Sequence, residues 1–536
     1  MTGPWIPRRH KVQLWNGASL NEFLERLGFN ADPFESTNAE DESQLADYFV
    51  PPPYFASVQG DPKNPAPHIV FAPRGSGKTA QRRMIEVESQ RAGSYICVTY
   101  ASFDQPPGFR VEDADLNYHL NQICRLILIG VLFCLEENPD MAEQLTAAQR
   151  GVLKFQVERF LGSLSVAEFS NAMRSIKSLG DRAADLWQKY GGPVAVALQL
   201  LINKAGLGSA TIPTELASEA RRDEGLRYHF EQLLEIARAL SFDSVYVLVD
   251  KVDETAITSA NADATFNLIK ALLTDLPTIE QNGVGFKFFM WDDIRDDYRE
   301  RGGRPDRVPA SQLRWSVDEL ASMLARRLSA FSDGRIDSSN AMLCDGAGLD
   351  LDCVATKLCQ GSPRDMIRIL KQILSEATRT TTSIECIPIE AVWQGIRTFA
   401  NEKALELCPP KFLADLRKVQ KLTFTIEHVS SEVFHVSSQS GRSKIQKWES
   451  SGVVAKIGEI PNPPNRPMYL FGITDVRVAM AVLPNLEVEL ILGNYVLECP
   501  GCHREVISDQ NYCLCRSCEK EFALADAASL LSTCQT

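Results

Sequence analysis

His68-Ile69-Val70-Phe71-Ala72-Pro73-Arg74-Gly75-Ser76-Gly77-Lys78-Thr79 is the stretch on which the fold turns. His68 to Phe71 is a short apolar run and reads as a buried strand; Thr79 to Gln90 reads as the helix that follows. Between them, a loop that wraps a phosphate chain must curl with its N–H groups pointing inward, and Gly75 and Gly77 supply that freedom. Pro73, Arg74, Gly75, Ser76, Gly77, Lys78 and Thr79 are therefore the candidate nucleotide-holding residues. Lys78 is placed to reach the β- and γ-phosphates of a triphosphate, and Thr79 to offer its hydroxyl to Mg²⁺. The following helix presents its positive N-terminal end to the same anion. The first position of this pattern is usually Gly and here is Ala72, a place that needs a small residue more than a positive φ.

Working outward, Ser94 to Tyr100, Val245 to Val249 and Phe286 to Met290 read as further strands, with Leu313-Arg314-Trp315 as a short last one. Strands alternating with helices predict an α/β fold, a parallel sheet covered on both faces. Val245 to Val249 ends in Asp250, and a carboxylate at the C-terminal end of a parallel strand lies beside the ligand crevice. Asp250 is the candidate for the Mg²⁺ shell. Lys251 follows where a water-activating Glu often stands, and carboxylates resume at Asp253 and Glu254. These two either position water or cap a following helix, read as Thr255 to Leu273.

The Asp-Lys-Val-Asp-Glu strand end resembles that of the NACHT and wider STAND signalling ATPases, P-loop switches of the AAA+ kind. The resemblance spans roughly Asp61 to Thr378 through scattered motifs. It implies ATP and Mg²⁺ as ligands, with Lys78, Asp250, Asp253, Glu254 and Arg364 as the catalytic set. Gly361-Ser362-Pro363-Arg364-Asp365 is similar to the second sensor of AAA+ and origin-recognition-like ATPases, in which an Arg at a lid-helix start touches the γ-phosphate. The first-sensor position after the Phe286 strand is usually small and polar; Trp291 departs from that, with Asp292 beside it. Arg301, Arg304 and Arg307 lie where AAA+ rings donate an arginine finger, although a solvated loop is the plainer reading.

The domain plan runs as follows. Residues 1–60 form a lead-in, residues 61–310 a P-loop core with a helical insertion at about 108–240, and residues 311–400 a helical lid. Residues 411–484 order as helix, helix and hairpin, which resembles a winged helix-turn-helix. From Lys411 to Arg466, nine basic residues stand against five acidic ones, a local positive excess in an acidic chain. Arg442, Lys444 and Lys447 on the second helix, with Lys456 and Arg466 in the wing, are the candidates for DNA phosphates; protein packing is the equal alternative. Within residues 490–530, Cys499-Pro500-Gly501-Cys502 and Cys515-Arg516-Ser517-Cys518 form two knuckles. Four thiolates at this spacing suit tetrahedral Zn²⁺ in a closed, structural site resembling a zinc ribbon, with His503 and Cys513 as spare donors.

Bulk properties are those of a globular protein. The chain has 536 residues, 44% hydrophobic and 23% charged, with a net charge of -13 that leaves nucleic-acid contact to local patches. The apolar runs Leu126 to Leu135 and Pro193 to Ile202 fall short of the about 20 residues of a membrane span and read as buried helices. Most of the 14 cysteines are scattered singly, as small hydrophobes in a reducing cytoplasm. The reading is a cytoplasmic ATPase acting as a nucleotide-driven switch or motor, coupled to DNA through the winged helix and free to form an ATP-dependent homo-oligomer. Its alternative is a signalling or defence regulator with slow turnover, binding a protein partner through the insertion. A small-molecule kinase fits less well, because no separate substrate motif appears.

Overall fold

The computed structural model describes residues 17–42, 44–162, 164, 168, 202–203, 207–208, 210–212, 225–259, 261–380, 385–460 and 467–535. The chain divides into two compact units. One is the continuous stretch Asn38–Trp315; the other joins the residues up to Thr37 to those from Ser316 onward. The lead-in read from the sequence is thus shared, its first part going with the C-terminal half.

The continuous unit is built on five parallel strands: β1 (His68–Ala72), β2 (Ile96–Tyr100), β3 (Val245–Val249), β4 (Val284–Trp291) and β5 (Ala310–Gln312). Their order is β2-β3-β4-β1-β5. Every residue of β1, β2 and β3 is buried, which is why these strands read as unbroken apolar runs rather than alternating ones. The chain leaves β1 for β2 at the far edge and later returns to β1's other side with β5. The carboxyl ends of β1, β4 and β3 therefore lie side by side at the place where the strand order reverses. The last strand sits earlier than Leu313–Trp315: the ladder pairs Ile69 with Ala310 and Phe71 with Gln312. Trp315 lies beyond it, and its indole Nε1 donates to the Ser76 carbonyl at 2.8 Å.

The crossover from β2 to β3 is helical where it is described, in Leu116–Glu137, Ala147–Leu161 and Leu226–Ala239. Its middle, with all of the Pro193 to Ile202 run except Ile202, lies outside the described residues. Leu116–Glu137 is longer than its apolar centre suggested. At 22 residues, with an 18-residue stretch of mean hydropathy 1.6, it is long and apolar enough to cross a membrane by length and composition. Its apolar side chains, Leu120, Ile123, Ile127, Val131 and Leu135 among them, are buried against the sheet core, and Gly130 faces Ile96 and Val98 of β2.

The other unit begins with the helix Gly17–Leu27 and continues with Val317–Ala330, Leu351–Leu358, Pro363–Thr380 and Ile389–Leu407. Gly361 at φ 79° separates Leu351–Leu358 from the next helix, which Pro363 starts, so Arg364 stands at a helix start as the sequence implied. Four of the scattered cysteines are paired, Cys344 with Cys386 and Cys353 with Cys534. Their Cα separations of 4.8 and 5.5 Å lie in the range a disulfide needs, which residues 42 and 181 positions apart in sequence could not disclose.

Farther on come the helix Pro410–Val419, β6 (Thr423–Thr425), a wide turn His428–Val433, the helix Ser438–Ser450, β7 (Val454–Ile460) and β8 (Met468–Ile473). The antiparallel sheet orders β6-β8-β7, with β7 and β8 forming the hairpin that the sequence implied. Trp448 and Ile445 anchor the second helix inward, Trp448 edge-on to Phe424 with ring centroids 5.8 Å apart. Gly441 is needed at the helix crossing, because an added Cβ would stand 2.7 Å from Ser430. The chain ends in two small hairpins, β9 (Val496–Glu498) with β10 (Glu505–Ile507) and β11 (Tyr512–Leu514) with β12 (Glu521–Ala523).

Candidate functional site

The carboxyl end of β1 runs directly into the glycine loop. Gly75 and Gly77 adopt φ values of 80° and 98°, backbone that a side chain would strain. Gly77 is the N-cap of the helix Lys78–Ala92, so the helix's free N–H groups open onto the loop. Lys78 is buried, and its Nζ donates to the carbonyls of Ala72 at 3.0 Å and Pro73 at 3.3 Å. Burial pushes the Lys78 pKa down; the charges of Asp253 and Asp250 push the other way.

Asp250 at the end of β3 is the centre of the site. Its Oδ2 accepts from Thr79 Oγ1 at 3.0 Å and from Arg82 Nε at 3.0 Å, while its Oδ1 accepts from the Lys251 N–H at 2.9 Å. Thr79 and Asp250, 171 positions apart in sequence, are thus brought together by the sheet. Arg82 is fully buried and also bridges Glu86 and Glu40. Desolvation alone would lower its pKa, but Glu86, Asp250 and Glu40 together hold it above the ordinary value. Glu40 in turn pairs with Lys251 Nζ at 3.1 Å. The sequence reading missed Arg82, Glu40 and Glu86. The i,i+4 spacing of Arg82 and Glu86 was visible, yet it resembles any exposed helical ion pair. Glu40 lies in the lead-in, where no local pattern singles it out.

Asp253 and Glu254 do not cap the next helix. They lie in the short turn Val252–Glu254, and the helix starts later, at Ala262, capped by Asn261 through the Ala264 N–H at 2.9 Å. Asp253 is buried and held by Arg74 of the glycine loop: Nε to Oδ2 at 2.8 Å and a terminal nitrogen to the Asp253 carbonyl at 2.7 Å. Glu254 is exposed. The Arg74 guanidinium lies 4.5 Å from the ring centre of Trp291, the last residue of β4. Asp292 and Asp293 follow, and burial with the neighbouring Asp292 raises the Asp293 pKa.

The arginines of the loop before β5 are paired locally. Arg301 binds Asp263 and Asp297, Arg304 binds Asp306, and Arg307 binds Glu280. Arg364 belongs to the other unit, where it is exposed in the first turn of Pro363–Thr380. Its neighbour Asp365 is buried among Arg477 at 3.0 Å, Lys403 at 3.0 Å and Arg368 at 3.5 Å.

Arg442 and Lys447 are exposed on the helix Ser438–Ser450. Lys444 is not free as the sequence implied: its Nζ pairs with Asp415 at 2.7 Å and lies 4.3 Å from the Phe434 ring centre. Lys456 lies 3.8 Å from the Tyr469 ring centre and pairs with Glu459 at 2.7 Å. Arg466 is outside the described residues.

In the terminal hairpins, the sulfurs of Cys499, Cys502, Cys515 and Cys518 all lie within 4.8 Å of one another. Cys499 faces Cys518 at 3.6 Å and Cys502 faces Cys515 at 3.5 Å. Four thiolates about 2.3 Å from a tetrahedral zinc stand about 3.8 Å apart, so the set fits that ion. The Gly501 N–H donates to Cys499 Sγ at 3.4 Å, fixing the knuckle. The spare donors are excluded: Cys513 is buried against the Gln510 carbonyl, and His503 turns to Glu498 at 2.7 Å. Zinc held there would cross-link the two hairpins.

A parallel sheet with a glycine loop at the end of β1 and a Thr79–Asp250 pair across to β3 defines a P-loop nucleotide-binding fold. Residues 32–96 match the ORC-CDC6-like family model, and this stretch holds β1, the glycine loop and the helix after it. The nucleotide-loop segment is thus similar to that of ORC-CDC6-like proteins. No curated protein matches the chain in sequence. Among solved structures, the Aeropyrum pernix ORC1 protein in complex with DNA is 10% identical, covering 84% of this chain and 97% of its own, with a TM-score of 0.37. The Aeropyrum pernix ORC2 protein in its ADPNP-ADP complexes is 13% identical, covering 90% and 96%, with a TM-score of 0.33. CDC6P from Pyrobaculum aerophilum is 12% identical, covering 84% and 99%, with a TM-score of 0.32.

Proposed function

We propose that the chain is an ATP-driven switch that acts on DNA. The observation that carries the nucleotide half is the meeting of Thr79 and Asp250 at 3.0 Å beside a glycine loop in left-handed backbone. In this reading the N–H groups of Pro73–Thr79 other than proline's, with Lys78, hold the triphosphate, and Thr79 and Asp250 hold Mg²⁺. Glu254, exposed beside the buried Asp253, activates water. Arg364 is the residue that the resemblance offers for reading the γ-phosphate. Zn²⁺ on Cys499, Cys502, Cys515 and Cys518 is structural. DNA contact falls to Arg442 and Lys447, whose side chains are exposed on the second helix of the winged fold.

The test is ATP binding and turnover in Mg²⁺ buffer, with and without duplex DNA. Lys78→Ala is expected to weaken ATP binding at least tenfold, read with a fluorescent ATP analogue; unchanged affinity refutes the site. DNA stimulation of the ATPase rate supports the coupling.

The second reading, a regulator with slow turnover, has its own support. Arg301, Arg304 and Arg307, the candidates for a finger offered to a neighbouring subunit, are each committed to carboxylates of their own chain. Tightly retained nucleotide and a basal rate indifferent to DNA would favour it.

A further inference from the structure

Trp291 stands where the resemblance calls for a small polar residue, and Arg74 occupies a loop position at which the phosphate cradle needs only main chain. The two departures meet. The Arg74 guanidinium lies over the Trp291 ring at 4.5 Å and grips Asp253 twice, through Oδ2 at 2.8 Å and the carbonyl oxygen at 2.7 Å. A planar fork on an aromatic face has little freedom left, so both contacts hold together. Asp253 is buried with this charge-assisted pair, and the next residue, Glu254, is exposed. The turn that carries both carboxylates is thereby fastened to the glycine loop.

Resting on the nucleotide-site reading above, we propose that Arg74, seated on Trp291, is a positioning residue that locks the Asp253 turn to the phosphate loop and so aims Glu254 at the attacking water. Asp253 then serves as the anchor of the turn and Glu254 as the base. The contact made by Trp291 replaces the small polar group as the feature that β4 contributes here. The role is distinct from phosphate binding, which belongs to Lys78 and the loop amides.

The experiment measures kcat, KM and the affinity for a non-hydrolysable ATP analogue in the full-length chain. The variants are Glu254→Gln, Arg74→Ala, Arg74→Lys, Asp253→Asn, Trp291→Phe and the double variant Arg74→Ala with Asp253→Asn. Glu254→Gln should abolish turnover with binding kept. Arg74→Ala and Asp253→Asn should each lower kcat at least tenfold while analogue affinity stays within threefold. The double variant should be no worse than either single one, because both cut the same link. Trp291→Phe, which keeps an aromatic face, should retain more than half of kcat.

A merely structural Arg74 would lower thermal stability and analogue affinity together. Arg74→Ala with unchanged kcat, or an effect additive with Asp253→Asn, overturns the inference. Should Arg74→Ala fail to fold, Arg74→Lys carries the same decision: it keeps the charge and loses the fork, so a wild-type kcat sinks the proposal. Failure of the underlying reading shows separately, as analogue binding that survives Lys78→Ala; wild-type enzyme that binds the analogue but never turns ATP over overturns the assignment of Glu254 and this inference with it.

Discussion

The glycine loop and the cysteine hairpins are both cradles, but they balance their polar groups in opposite ways. Around the loop the buried charged side chains already have partners in the chain: Lys78 on two carbonyls, Asp250 on Thr79 and Arg82, Asp253 on Arg74. A ligand that enters must exchange one set of good contacts for another, which suits binding and release. In the hairpins the four sulfurs face chiefly one another, with the Gly501 N–H as a weak extra donor. Such a cluster needs a cation to become favourable as thiolates, and the small core beside it supplies little else. One cradle is built for exchange and the other for permanence.

The largest expected effect tests the permanent cradle. Strong chelation, or Cys499→Ser together with Cys515→Ser, should remove one zinc per chain by elemental analysis and unfold the terminal hairpins. Structural zinc sites of this kind contribute about 10–16 kcal/mol of apparent binding energy, so partial loss is not expected. Full near-ultraviolet and protease-resistance signatures without zinc would erase the contrast.

A smaller effect belongs to the exchange cradle. Arg82→Met should strand Glu40, Glu86 and Asp250 as buried carboxylates without their common cation, at a cost of about 3–5 kcal/mol in urea unfolding. An unchanged midpoint would mean that the carboxylates reach water and that internal pairing does not define this site.

The smallest effect carries the contrast onto one helix. Arg442→Ala and Lys447→Ala should each weaken duplex DNA binding and reduce the salt slope by about 1, whereas Lys444→Ala, whose charge is spent on Asp415, should do less. Equal slopes for all three would show that the Asp415 pair opens on DNA.

What could be read from the sequence follows the same division. The strand–loop–helix at His68 to Gln90, the acidic end of β3 and the paired knuckles were legible because local pattern and chemistry coincide there. The start of β5 was misplaced because its three residues, Ala310–Gln312, are polar or small, while the apolar Leu313 and Trp315 beyond them pack below the loop. The helix after Asp253 was drawn too early, since the turns through Thr255 and Thr258 carry helix-compatible residues but close on their own hydroxyls. Arg74 was read as loop backbone; its grip on Asp253 joins positions 179 apart and has no local signature. Lys444 looked as free as Lys447, because Asp415 reaches it across the fold.

One feature of the chain's layout bears on its synthesis. Asn38–Trp315 is contiguous, so its sheet can close as soon as β5 has left the ribosome. The segment before it cannot follow that order. Phe29 and Phe34 are buried, Asn30 N–H bonds to the Phe331 carbonyl at 2.8 Å, and Arg327 donates to the carbonyls of Pro33 and Ser36. Residues 29–36 therefore wait through about three hundred codons for their partners, with two phenylalanines unshielded, which makes this nascent segment the point at which a chaperone would be of most use.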